Sequence, residues 1–391
     1  MNGRLFAWLR LFLPVALLIG LGAYAYIDSH RDAQLSEVRA NESFNVGMGV
    51  AMLDRRTQII RHDLGYLARL NVIQAPADEL AMPDMRRMEQ SFVELLRTKP
   101  VYDQARWIDA RGQEMLRVDL KAGQPVVIAK DKLQNKADRY YFTEAMKLAA
   151  GDVYISPIDL NVDNGAIETP HKPVLRLATP LLDGRGNKHG IIILNYLGDE
   201  MIAYMEAVTT PVADRLMLLN TAGYFVHSPN PADEWGFVFN DAQRSLPARF
   251  PESWARIAAE DHGQFIDAHG LWTFQSVYPL LAGTRSITEI RGNEKNAPTE
   301  AEKSRRWLVV THLAPEQSEQ QVGRDEINIY TWIFLLLGLF AAGTLAVEHV
   351  SARERRAEQR FKAYFERAMV GMAMSSVDKH WLAVNPALCR I

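Results

Sequence analysis

Four polar side chains interrupt otherwise apolar strand-like stretches between Gly151 and Gly198: Tyr154, Asp159, Arg176 and Asn195. An apolar residue would be cheaper to bury at each position, because an unpaired polar group taken out of water costs roughly 2 kcal/mol or more. Together they offer a phenol, a carboxylate, a guanidinium and an amide, the groups that hold a small molecule by charge and hydrogen bonds. They do not form a bond-breaking set. No G-x-S-x-G elbow, Walker loop or paired-carboxylate signature occurs in the chain. The ten histidines show no H-x-x-x-H or comparable spacing, so no metal centre is expected. Asp159-x-Asn161-x-Asp163 imitates the start of a calcium loop, but Asn164 and Pro170 stand where Gly and a bidentate Glu are needed, so it reads as a turn. No cofactor is implied.

The elements that would position these groups are strands. Val153–Leu160, Pro173–Leu182 and Gly190–Leu197 are separated by VDNG and LDGRGN, whose Asp, Asn and Gly suit hairpin turns. Three neighbouring antiparallel strands are expected to form the middle of a sheet. Ahead of them, Tyr102–Ile108 and Glu114–Leu120 flank Asp109-Ala110-Arg111-Gly112 as a hairpin. Related turns at Asp183-Gly184-Arg185-Gly186 and Asn220-Thr221-Ala222-Gly223 suggest the same kind of sheet built twice, over about 100–208 and 214–314. The second would use Arg215–Leu219, Tyr224–His227, Gly263–Asp267, Leu271–Tyr278 and Trp307–Leu313. Asp233-Glu234-Trp235-Gly236 and Trp254 read as a loop packed by its own aromatics, and Gly283–Arg306 as a long polar loop. The fold class is therefore α+β.

A long helix is expected from Asp28 to about Leu70, because proline is absent and Leu53, Ile60, Leu64 and Leu67 recur at helical steps. Ala75–Pro83 breaks it, and Met85–Arg97 makes a second helix. The polar run from His30 to Ser43 suits a stalk paired with a second copy, so a homodimer is expected.

Net charge is −3 over 391 residues, which gives no reason to expect a nucleic-acid partner. Two charge-free apolar runs, Leu11–Ile27 and Ile329–Val347, each approach the roughly 20 residues that cross a hydrocarbon core. Arg4 and Arg10 precede the first; Arg353, Arg355, Arg356 and Arg360 follow the second. With Tyr24, Tyr26, Tyr330 and Trp332 at the inner ends, this pattern puts both termini in the cytoplasm and residues 28–328 outside. Ala23-Tyr24-Ala25 has the form of a signal-peptide cleavage site, although the run is long for a signal peptide. The single cysteine, Cys389, lies beyond the second run, so the external segment must be stabilised by core burial. Gly338-x-x-x-Ala342 offers a close helix–helix approach.

A long N-terminal helix and two PAS-like sheets between two membrane spans resemble a double Cache extracellular sensor. The phrases SPIDLNVDNGAIETPHKPVLRLATP, GIIILNYLG, LLNTAGYFVHSPNPADEWGF and FPESWARI followed by GQF resemble the bacterial histidine kinase sensor-domain variety over about residues 30–315. The resemblance implies a membrane-distal subdomain over 100–213 and a membrane-proximal one over 214–328, with a stalk and second helix over 28–99. In amino-acid-sensing members, an Arg-x-Trp-Tyr-x-x-Ala run grips the ligand carboxylate and a later Asp takes the ammonium. Here the run is Arg139-Tyr140-Tyr141-Phe142-Thr143-Glu144-Ala145, and Asn195 stands where the Asp would fall. The resemblance thus implicates Arg139 and Tyr141 alongside Tyr154, Asp159, Arg176 and Asn195. A neutral amide is a weaker ammonium partner than a carboxylate, which disfavours an α-amino acid and makes an organic acid or other anion its rival as the small-molecule ligand. The alternative for Arg139 is an ion pair with Asp138, Glu144 or Asp159.

After a connecting helix at 348–360, residues 361–391 resemble the opening of a cytoplasmic PAS domain: Phe365 and Ala368, Val370-Gly371-Met372-Ala373, a turn at Asp378-Lys379, then Asn385-Pro386-Ala387-Leu388-Cys389. That layout implies an inner-membrane receptor whose output lies beyond residue 391, either a GGDEF or GGDEF–EAL module or a histidine kinase. A secreted hydrolase-like or adhesive ectodomain is the rival class, and the PAS opening disfavours it.

Overall fold

The computed structural model describes residues 2–71, 82–163, 165–281, 305–317, 326–378 and 380–390. Two compact units result, one comprising residues 37–318 and the other residues 1–36 with 319–391.

The larger unit begins within helix α1 (Asn2–Leu70). Val46, Val50, Leu53, Thr57, Ile60, Leu64 and Leu67 fall at alternating steps of four and three, and all are at most 2 % exposed. That spacing makes one apolar stripe along the helix. Helix α2 (Met82–Thr98) answers with Met88, Phe92 and Leu96, one turn apart and buried in the same core. It starts three residues earlier than the sequence suggests, and most of the expected break at Ala75–Pro83 lies outside the described residues.

The first sheet uses β1 (Tyr102–Ile108), β2 (Glu114–Lys121), β3 (Gln124–Val127), β4 (Tyr154–Ile155), β5 (Asp159–Leu160), β8 (Pro173–Leu182) and β9 (Lys188–Leu197). A separate two-residue hairpin, β6 (Val162–Asp163) with β7 (Ala166–Ile167), lies between β5 and β8. The order is β3-β2-β1-β9-β8-β4, with β5 also on β8, and every pairing is antiparallel. This corrects one expectation. Residues 153–160 form two short edge pieces rather than a central strand, because Pro157 has no N–H for the ladder and interrupts it. The centre of the sheet is β1-β9-β8.

Alternation divides the sheet's two faces. Ala105, Trp107, Leu116, Val118, Leu175, Leu177, Ile192 and Leu194 share the core with α1 and α2. Ile108, Ala178, Ile191 and Ile193 point the other way, against Tyr141, Phe142 and Ala145 of the short helix α3 (Tyr140–Lys147). On that second face the strands also carry Gln104, Arg106, Arg176 and Asn195, in step with Ile108, Ala178 and Ile193.

Helix α4 (Gly198–Val208) leads to the second sheet: β10 (Leu216–Leu219), β11 (Phe225–His227), β12 (His262–Asp267), β13 (Gly270–Val277) and β14 (Trp307–Leu313), in the order β11-β10-β14-β13-β12. Leu216, Leu218, Trp307 and Val309 join the α1 core. Met217, Leu219, Leu308 and Val310 face Leu246 of α5 (Leu246–Arg249) and Ile257 of α6 (Pro251–Ala259). A buried pair fixes α1 to this half: Glu42 Oε1 accepts from Arg215 Nε at 2.9 Å and Nη2 at 2.7 Å. Most of the expected loop at Gly283–Arg306 lies outside the described residues.

In the smaller unit, α7 (Glu326–Arg367) is one 42-residue helix spanning what the sequence divides into an apolar run and a charged helix. Trp8 Nε1 of α1 donates to Thr344 Oγ1 at 2.8 Å. After α7, β15 (Ala373–Ser375) pairs with β16 (Trp381–Val384). Asn385 closes that hairpin: its Oδ1 accepts from the amides of Met372 and Leu388, and its Nδ2 donates to Val370 O.

Candidate ligand-binding site

On the α3 side of the first sheet the apolar packing stops short, and a recess opens. It is lined by Gln104, Arg106, Arg117, Lys136, Arg139, Tyr141, Asn161, Val162, Arg176 and Asn195, and it is tight, with a cavity volume of about 20 Å³. Strand register builds its floor, because Gln104, Asn195 and Arg176 lie in one row across β1, β9 and β8. Arg106 and Arg117 are directly opposed on β1 and β2, a like-charge pairing that destabilises a sheet unless neutralised. Glu114 Oε1 lies 3.4 Å from Arg106 Nη1, and Asp119 takes Arg117 in a two-pronged contact of 2.6 and 2.9 Å.

The wall comes from the segment entering α3. Gly112, at φ +83°, leaves room for it: a side chain there would come within 2.5 Å of Ala137 Cα. Lys136 N donates to Gly112 O at 2.6 Å, which ties the segment to the β1–β2 turn. Arg139 then stands as the residue before α3, and Tyr141 lies in its first turn. Three guanidinium carbons surround the Tyr141 ring, Arg106 at 5.5 Å, Arg176 at 5.8 Å and Arg139 at 5.9 Å from its centre.

The recess is strongly positive. Five cations line it, and among the described residues no carboxylate does. Arg176 is matched by Asp159 behind it, so the described side chains set three carboxylates against five cations, an excess of two positive charges. Burial pushes the Tyr141 hydroxyl up, yet Arg106, Lys136 and Arg176 outweigh it and hold Tyr141 below its ordinary value. Lys136 is pushed down from its ordinary value by burial, with Arg106 and Arg139 adding to the shift. Arg139 forms no ion pair or side-chain hydrogen bond among the described residues, and its Nε is buried without a partner. Glu144 pairs instead with Lys147 and, at 3.9 Å, with Arg305, while Asp159 pairs with Arg176.

Of the six residues singled out in the sequence, the structure brings Arg139, Tyr141, Arg176 and Asn195 together on this recess. Asp159 stands behind it as the partner of Arg176 and accepts from Tyr140 Oη at 2.8 Å. Tyr154 shares the face but sits opposite Ala178, two residues along β8 from Arg176 and under Arg305, whose guanidinium is 4.7 Å from its ring. Burial pushes its hydroxyl up to about 12. Sequence reasoning missed Gln104, Arg106, Arg117, Lys136 and Asn161.

A long helix leading into two successive antiparallel sheets, the first with a polar recess, defines a Cache-type sensor. The family model for the bacterial histidine kinase sensor domain matches residues 74–285, more than half of the chain, and the chain belongs to that family. Among solved structures, the extracellular domain of the putative histidine kinase vpHK1S-Z8 is 19 % identical, with a TM-score of 0.54 over 77 % of this chain and 99 % of that one. A domain of a putative sensory box/GGDEF family protein from Vibrio parahaemolyticus is also 19 % identical, with a TM-score of 0.53 over 71 % of this chain and 99 % of that one. The ligand-binding domain of the Campylobacter jejuni chemoreceptor Tlp3, solved with L-valine, is 7 % identical, with a TM-score of 0.48 over 74 % of this chain and 97 % of that one. No curated protein sequence matches the chain.

Proposed function

We propose that this chain is the sensing part of an inner-membrane receptor that binds a small anion, a carboxylate or an inorganic oxyanion, in the recess of its first sheet. One observation carries the reading: five cations converge on the recess, no described carboxylate lines it, and the buried Arg139 Nε has no partner. A guanidinium with free donors is suited to fork onto a planar anion. An ammonium would meet Arg106, whose Nη2 already donates to Asn195 Oδ1 at 2.8 Å.

The helices flanking the sensor contain apolar stretches long enough to span a membrane, and the arginines outside them favour cytoplasmic termini and a periplasmic sensor. Phe44, Met48 and Tyr66 are exposed on α1, which favours pairing of two copies along it. Ligand binding would then favour one arrangement of the pair and bias α7 and the PAS-like segment after it, provided that the two arrangements differ in affinity.

For the output, the PAS-like segment directly after α7 favours a GGDEF or GGDEF–EAL module, and a structural relative is described as a sensory box/GGDEF protein. The family's own description favours a histidine kinase as the second reading. The gene beyond Ile391 decides between them.

Two experiments test the proposal. Melting of the detergent-solubilised chain should be raised by members of a panel of mono-, di- and tricarboxylates, phosphate and sulfate, but not by zwitterionic amino acids; a rise confined to amino acids would refute the anion reading. Reporter fusions at about residue 150 should behave as periplasmic and those at about 360 as cytoplasmic, and a cytoplasmic signal at 150 would refute the receptor topology.

A further inference from the structure

A second cleft lies between the two sheets of the larger unit, and its chemistry is the reverse of the recess. It is lined by Asp199, Ile202, Ala203 and Glu206 of α4, His171 and Pro173 at the start of β8, and His227, Pro231, Glu234 and Trp235 around the end of β11. Its cavity volume is about 440 Å³, within the roughly 300–1,000 Å³ usual for small-molecule sites. Three carboxylates line it, and among the described residues no lysine or arginine does.

At its base His227, 9 % exposed, stands between two of those carboxylates, with Nδ1 3.3 Å from Glu234 Oε1 and Nε2 3.3 Å from Glu206 Oε1. The second contact is off the hydrogen-bonding line, so His227 Nε2 is buried at the cleft without a hydrogen-bond partner. Asp199 is raised above its ordinary value by burial and by the charges of Glu234 and Glu200. Trp235, 5 % exposed and packed in the core, also borders the cleft.

We infer that this cleft is a second ligand site, for a small organic ammonium ion. The carboxylates would meet the positive charge, and Ile202, Ala203 and Pro173 would take the apolar body. A metal ion fits less well. Glu206 and Glu234 approach opposite nitrogens of one imidazole, and no group of three metal-ligating side chains is placed to hold an ion among the described residues. Because the lining comes from the first sheet, the connecting helix and the second sheet, an occupant would bridge both halves of the sensor. The site is independent of the anion recess.

The test uses the full chain in detergent, with 1,4-diaminobutane, phenethylamine and tetramethylammonium as probes and potassium chloride at matched ionic strength as control. At least one amine should raise the melting temperature saturably where the salt does not. Calorimetry should show its Kd weakened tenfold or more in Glu206→Gln and Asp199→Asn, and unchanged in Arg139→Ala. Glu206 is 43 % exposed at its side chain and Asp199→Asn removes a repelled charge, so both variants should fold with unliganded melting temperatures close to the parent's. No response to any of the amines, an equal response to salt, or affinity unchanged in both variants would overturn the inference.

Discussion

Arg106 Nη2 donates to Asn195 Oδ1 at 2.8 Å, and both side chains are buried, at 4 % and 1 % exposure. Asn195 Nδ2 passes the chain on to Gln104 Oε1 at 3.1 Å. The amide oxygen that might have met a ligand ammonium is therefore already held by a guanidinium. On the proposed reading, that relationship makes the recess selective by charge.

It follows that Asn195→Asp should weaken anion binding. The new carboxylate would pair with Arg106 and cancel one of the two excess positive charges. A tenfold or greater rise in Kd, about 1.4 kcal/mol, is expected by calorimetry. The variant should still fold, since the bond to Arg106 becomes an ion pair of the same shape and the Gln104 amide can turn its NH2 to donate to the new carboxylate in place of the lost Asn195 Nδ2 bond. Unchanged or tighter anion binding would count against a recess organised by net charge.

Anion affinity should also fall on the alkaline side. Burial holds Lys136 below its ordinary 10.5, and the surrounding cations hold Tyr141 below its ordinary 10.0. A bound anion favours the charged lysine and the neutral phenol, so it must be released as pH rises through the folded-state values of these groups. The contribution is full below both values and is lost above them. Titrations from pH 7 to 9.5 should show Kd rising with pH, and Lys136→Met should flatten the part due to the lysine; affinity that strengthens with pH would contradict the assignment.

Gly112→Val should damage the site from a distance. The turn holds φ +83°, and an added Cβ would meet Ala137 backbone at 2.5 Å, so both strain and collision oppose the substitution. A loss of about 1–3 kcal/mol is expected in chemical denaturation. Because Lys136 and Arg139 ride on that segment, anion affinity should fall further than stability alone explains; a folded variant with unaltered affinity would show that the segment does not set the wall of the recess.

The sequence carried the architecture further than the site. Leu53, Ile60, Leu64 and Leu67 recur at helical steps, and burial follows that rhythm along α1. The two sheets were legible in the turn residues at Asp109–Gly112, Asp183–Gly186 and Asn220–Gly223. What turn chemistry does not carry is strand order. Reading residues 153–160 as a central strand concealed that β1 borders β9, and so concealed Gln104 and Arg106, whose period-two alternation was present in YDQARWI. Lys136 left no signal, because an irregular segment has no period to read. Tyr154 and Asp159 were polar residues in apolar surroundings, as expected for a site, but the first is pinned under Arg305 and the second is the counter-ion of Arg176.

The most direct measurement compares the chain with its Arg139→Ala variant in the presence of the anion giving the largest melting-temperature rise. Arg139 has no ion-pair partner among the described residues, so the unliganded variant should melt close to the parent, while the ligand-induced rise should disappear and calorimetry should show Kd raised at least tenfold. A rise that persists undiminished in Arg139→Ala, or a variant that fails to fold without ligand, would contradict the account and return Arg139 to a structural role.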